Sequence, residues 1–111
     1  MTGPSATPSG SSVVHDADHH RFVISDDGAE AELVYRRHGN RFVLVHTGVP
    51  PELEGKGIGG ALVEAAVREA SADGLTVVPL CPFARGWLER HPEVAGTARI
   101  DWHEASDKDQ G

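Results

Sequence analysis

Four glycines crowd the run Glu54-Gly55-Lys56-Gly57-Ile58-Gly59-Gly60, at the point where the hydrophobic pattern changes from a strand period to a helix period. Upstream, Pro50-Pro51 stops an extended segment; downstream, apolar residues recur at helical spacing from Gly57 to Asp73. The chain must therefore turn from strand into helix through a stretch in which four of seven residues have no side chain. A helix start leaves backbone N–H groups unpaired and carries partial positive charge, and glycines let an anion approach it closely. A phosphate-bearing ligand is one reading of that turn. The other is that the glycines only tighten it, or let the helix lie close to a neighbour.

The elements around the turn narrow the fold. Arg21 to Ser25 is a short β-rich run, and Asp26-Asp27-Gly28 is turn chemistry. Ala29 to His38 alternates like a half-buried strand, Gly39-Asn40 makes a tight hairpin, and Arg41 to Thr47 follows. Strict alternation there points Phe42, Leu44 and His46 one way and Val43, Val45 and Thr47 the other. Both faces are largely apolar, which predicts a central strand covered on both sides. In the helix, Ile58, Leu62, Ala65 and Ala66 form the buried stripe, and Gly74 ends it. Leu75 to Leu80 is a compact apolar strand; Pro82 opens a short second helix with Cys81 at its N-cap, and His91-Pro92 closes that helix. Ala98, Ile100 and Trp102 suggest one last short strand. This order predicts an α/β (α+β) sandwich: a mixed, mostly antiparallel sheet with one long and one short helix.

At 111 residues the chain is one domain. Residues 1–18, rich in Ser, Gly, Pro and Thr at their start, are expected to be a disordered N-terminal tail, 19–103 the folded unit, and 104–111 a disordered acidic C-terminal tail. A net charge of −7 argues against a nucleic-acid partner. Apolar runs are too short for a membrane span, and the start Met1-Thr2-Gly3-Pro4-Ser5 lacks the basic and apolar regions of a secretory signal, so the expectation is cytoplasmic. The single cysteine, Cys81, excludes an internal disulfide and a multi-cysteine zinc site. His15, Asp16, Asp18, His19 and His20 are dense in metal-binding side chains, but they border the tail, so no specific metal site is expected.

Gly55, Gly57 and Gly60 formally match G-x-G-x-x-G. Four features nevertheless oppose a dinucleotide-binding domain. The preceding strand belongs to a hairpin, Pro-Pro intervenes, Leu80 and Cys81 stand where the ribose-binding acid belongs, and too little chain remains. A P-loop fails because no Gly-Lys-Ser/Thr follows. The run Val49 to Val63 instead resembles the acetyl-CoA signature of the GNAT superfamily of N-acetyltransferases, Arg/Gln-x-x-Gly-x-Gly/Ala. Pro79-Leu80-Cys81-Pro82-Phe83 with His91-Pro92-Glu93 is similar to its minimal, single-domain branch. The resemblance covers roughly residues 19–93. It implies acetyl-CoA as cosubstrate and an amine, on a protein or a small molecule, as acceptor. It implies binding of that cosubstrate by Val49, Gly55, Lys56, Gly57, Ile58, Gly59, Gly60, Cys81 and Phe83, with the pantetheine arm between two parted strands. Pro79, which has no N–H to donate, suits a place where strands part, as it also suits any strand end. Arg85 and Arg90 are candidate contacts for the 3′-phosphate. Glu54 departs from the pattern: it stands where Arg or Gln is preferred and would mildly repel phosphate, an effect Lys56 offsets locally.

Acetyl transfer to an amine needs a base for the amine, a polarised carbonyl and a proton for the departing thiolate. Many GNATs resemble one another in using a late tyrosine for the last task, but the only tyrosine here, Tyr35, lies in the second strand. Cys81, at a helix N-cap, is the candidate replacement. His46 is the candidate base, near the end of the neighbouring strand, so that a Cys81–His46 pair would flank the thioester. Direct attack with His46 as base and Cys81 as acid, and transient acetylation of Cys81, are both open. So are two plain alternatives, a buried apolar thiol and a packed histidine. The competing functional reading is a non-catalytic acyl-CoA-binding or sensing module. The assembly expected is a monomer or weak homodimer, and a short connection between the first two strands leaves the acceptor side open.

Overall fold

The computed structural model describes residues 13–26 and 28–102. Six strands form one sheet in sequence order: β1 (Val14–Asp16), β2 (Arg21–Asp26), β3 (Ala29–His38), β4 (Arg41–Gly48), β5 (Thr76–Pro79) and β6 (Arg99–Ile100). The first four pair antiparallel, and β4–β5 and β5–β6 pair parallel. Helix α1 (Ile58–Ala72) links β4 to β5, and α2 (Pro82–Arg90) with the single turn α3 (Pro92–Ala95) links β5 to β6. This is the mixed, mostly antiparallel sandwich that the pattern of elements predicts.

Both parallel crossovers advance in the same direction along the sheet, and right-handed connections then place their helices on one face. Helix α1 accordingly packs on α2 and α3 as well as on the strands. The core draws alternate residues from each strand: Phe22 and Ile24, Leu33 and Tyr35, Phe42 and Leu44, and Val77, packed against Leu62, Val63, Ala66 and Val67 of α1. Their neighbours Val23 and Val78 are buried but stand outside that cluster, on the face that no helix covers among the described residues. The expectation that β4 is covered on both sides is corrected: it is central, but among the described residues helices cover it on one side only.

A β-bulge corrects the orientation of β4 as well. Tyr35 pairs with Leu44 while Val34 pairs with His46, so Val45 is an extra residue and the alternation slips by one. Beyond it, Thr47 pairs with core-facing Leu33 and joins the helix side. His46 shares the open side with Val34 and is exposed.

The folded unit starts earlier than position 19. Val14–Asp16 pairs with Arg21–Val23 as an edge strand, and a 3-10 turn, Ala17–His19, joins them. A strand of Val, His and Asp carries no hydrophobic alternation. It is held by its ladder with β2 and by the partners of His15, namely Tyr35 and Glu69, which lie far away in the sequence. The expectations for residues 1–12 and 103–111 lie outside the described residues. Helix α2 ends at His91 as expected, and Pro92 then opens the further turn α3 as its first residue.

Candidate functional site

Helix α1 begins without any side-chain cap. Gly57, its N-cap, has φ 75°, a left-handed conformation that favours glycine, and the first helical bond is donated by Ala61 to the Gly57 carbonyl at 3.0 Å. The amides of Ile58, Gly59 and Gly60 are the unpaired donors that a helix start leaves. They border a cleft of about 470 Å³ lined by Thr47, Val49, Leu53, Glu54, Gly55, Gly57, Ile58, Gly59, Gly60, Phe83 and Trp87.

Glycine is required here for packing too. A Cβ added at Gly59 would lie 2.6 Å from Phe83 Cζ, and one at Gly60 would overlap the Trp87 indole. Absent side chains on the first turn of α1 therefore make room for two aromatic rings of α2. Phe83 stays 41% exposed beside the free amides, so the rings form one wall of the cleft. The close-packing reading holds for Gly59 and Gly60, and the turn reading for Gly55 (φ 83°) and Gly57; neither closes the helix start.

The opposite wall exists because β4 outruns β5. Their ladder extends from Arg41 beside Thr76 to Leu44 beside Pro79 and stops, while β4 continues to Gly48. Pro79 closes the ladder at the position where a missing N–H does no damage. One more bond, Cys81 N–H to the Leu44 carbonyl at 3.0 Å, turns the chain into α2.

Of the cosubstrate residues expected from the sequence, Val49, Gly55, Gly57, Ile58, Gly59, Gly60 and Phe83 line the cleft. Lys56 and Cys81 do not. Lys56 Nζ lies 3.4 Å from Asp26 Oδ2 on the exposed surface of the turn. Cys81 is buried at the N-cap of α2, but its thiol does not cap the helix and donates instead to Thr47 Oγ1 at 3.4 Å. The bulge decides this pairing. It brings Thr47 to the sulfur and sends His46 to the other side of the sheet, with its Nε2 over Gly48. The Cys81–His46 couple is therefore not formed. Thr47, Leu53 and Trp87 are cleft residues that the sequence reading missed. Trp87 was legible, being four residues from Phe83 on the same helix face; Thr47 was hidden by the bulge. Arg85 pairs with Glu89 on its own helix at 3.4 Å.

The histidine- and aspartate-rich segment near the start is structural. His15 Nε2 lies 2.6 Å from the Tyr35 hydroxyl, its ring stacks on Phe22 at 4.3 Å, and its Nδ1 lies 3.8 Å from Glu69 of α1. Burial, aided by Glu69, pushes the Tyr35 phenol above its ordinary range. Hydrogen bonds from His19 and then Arg21 hold the Asp16 carboxyl below its own. No group of three potential ligands is placed to hold a metal ion among the described residues. No helix among them is long and apolar enough to cross a membrane.

Comparison with known proteins agrees with this architecture. A solution structure of a GCN5-like candidate N-acetyltransferase from Staphylococcus aureus is similar at a TM-score of 0.65, with 31% sequence identity over 86% of this chain and 95% of that one. The sequence model of the GCN5-related N-acetyl-transferase family matches residues 21–97, from the first residue of β2 to just past α3. The chain belongs to the GCN5-related N-acetyltransferase family.

Proposed function

We propose that this acetyltransferase takes its acetyl group from acetyl-CoA and delivers it to a primary amine. One observation carries the reading: the uncapped amides of α1 open into a cleft whose far wall is the stretch of β4 that has outrun β5. The amides of Ile58, Gly59 and Gly60 would hold the diphosphate, where an anion gains most from the helix start. The parted strands would admit the pantetheine arm beside Val49 and Thr47. Bound there, acetyl-CoA supplies an activated thioester. His46 stands on the open side of the strand whose inner side lines the cleft, so an amine arriving from that side meets an exposed imidazole able to take its proton.

The separation of His46 from Cys81 gives the second reading, a module that binds acyl-CoA without turning it over, a specific footing. Isothermal calorimetry with acetyl-CoA, followed by CoA release with a panel of lysine peptides and polyamines, divides the two. Binding together with amine-dependent release is expected, and His46→Ala should lower release about 10- to 100-fold while leaving binding intact. Binding without release for every amine would favour the module. No binding at millimolar acetyl-CoA would defeat both.

A further inference from the structure

The departing CoA sulfur needs a proton, and neither Tyr35 nor Cys81 borders the cleft. Thr47 does. Its oxygen accepts the Cys81 thiol proton at 3.4 Å, and the hydroxyl's own proton finds no acceptor among the described residues. A hydroxyl with its acceptor side occupied from behind is left to donate forward, into the cleft.

We propose that Thr47 is the group that protonates the departing CoA thiolate, with Cys81 behind it as a positioning residue and proton source. This rests on the acetyl-CoA reading above. As the amine nitrogen bonds to the carbonyl carbon, the C–S bond breaks and its electron pair stays on sulfur. That sulfur takes the Thr47 hydroxyl proton, and the Thr47 oxygen takes the Cys81 proton. The amine's surplus proton leaves to His46 on the open side of the sheet and passes to water. Once CoA has left, the Cys81 thiolate recovers a proton from water through the same hydroxyl. The net transfer runs from one thiol to another, so the relay exchanges like for like and suits a site without a late tyrosine. The Val45 bulge is what makes it possible: without the slip, the hydroxyl would face the uncovered side of the sheet.

The test compares wild type with Thr47→Val, Thr47→Ser, Cys81→Ala and Cys81→Ser. The first readout is independent of turnover: the pH at which the thiol of bound CoA ionises, followed by ultraviolet thiolate absorbance with desulfo-CoA as the blank for Cys81. A donor aimed at the sulfur stabilises its thiolate. Bound CoA should therefore ionise about one pH unit higher in Thr47→Val than in wild type, with Thr47→Ser close to wild type. Cys81→Ala should shift it less in the same direction, and Cys81→Ser should restore it. In the release assay, Thr47→Val should lose about 10- to 100-fold in kcat with little change in KM for acetyl-CoA. If Thr47→Val does not fold, Thr47→Ala takes its place. Unchanged ionisation and turnover in folded Thr47→Val, with CoA bound as in wild type, would overturn the relay and leave the acetyl-CoA reading standing. A wild-type protein that binds no CoA would instead bring down that reading itself. A Cys81→Ala protein that matches wild type while Thr47→Val falls would remove Cys81 from the relay.

Discussion

The two ends of helix α1 are built differently. At the C-terminal end, side chains fill the space: Glu69 faces His15, His15 meets the Tyr35 hydroxyl, and Tyr35 stacks on Phe42 with ring centres 4.4 Å apart. At the N-terminal end, glycines stand where side chains would, the amides have no cap, and β4 runs on past the end of β5. One end closes the fold, and the other borders an open cleft. Substitutions at the closed end should therefore be read in stability, and substitutions at the open end in binding and turnover.

The largest effect belongs to the closed end. Tyr35 is 3% exposed and touches Phe22, Phe42, His15 and His20. Tyr35→Ala removes a large core ring and should cost about 3–5 kcal/mol. A domain this small has little more than that in reserve, so urea denaturation should find the variant largely unfolded. A loss below about 1 kcal/mol would show that the closed end does not hold the fold.

Gly60→Ala comes next and tests the boundary between the two ends. The added methyl would overlap Trp87, so the indole or α2 must shift, at about 1–3 kcal/mol, less what alanine returns as a better helix former. Acetyl-CoA affinity should fall with stability because the same indole lines the cleft. Adding Trp87→Leu should recover part of the stability, and a double-mutant cycle measures the coupling. Strict additivity would mean that glycine is not there for the ring.

These contrasts bear on what the sequence disclosed. The hairpin β3–β4 and helix α1 were legible because their periods are long, strand β5 because it is a compact apolar run, and all of them because their stops are Gly and Pro. The glycine turn was legible as a helix start, and Phe83 as a residue close to it, which the structure places on the cleft wall. The bulge was not: a slip of one residue in a ladder leaves no mark on composition, yet it exchanged the faces of His46 and Thr47. Nor was β1 legible, since a three-residue strand is fixed by where His15 and Asp16 find partners, not by its own pattern.

A milder change at the closed end has a pH signature. Tyr35→Phe keeps the ring and deletes the hydroxyl at His15, which should cost about 1 kcal/mol at neutral pH. Burial raises the native phenol's pKa, so folding favours the protonated form. Its contribution is complete below the unfolded value near 10 and declines as pH rises through the native one. Asp16 works in the opposite sense: its lowered value gives stability that is present above the ordinary 3.8 and is lost as pH falls. Melting curves across pH should show the alkaline decline flattened in Tyr35→Phe and the acid decline flattened in Asp16→Asn. An alkaline decline identical in both proteins would assign it to other groups.

The smallest effect is expected at the open end, and it is a gain. Glu54 is exposed, lines the cleft, and places a carboxylate beside the helix start proposed to hold the diphosphate. The sequence suggests that Lys56 offsets it, but Lys56 Nζ lies 3.4 Å from Asp26 Oδ2, so its charge is already engaged. Two like charges some 5–8 Å apart in water repel by about 0.5–1 kcal/mol. Glu54→Gln should therefore tighten acetyl-CoA about two- to fivefold in low salt, and raised ionic strength should erase most of the difference. Stability should barely move, because the side chain is exposed and takes no part in the core. Calorimetric titrations at two salt concentrations decide the matter: an affinity gain that persists at high salt would point to a new hydrogen bond from the amide, and no gain at either would place the bound diphosphate away from Glu54 and from the start of α1.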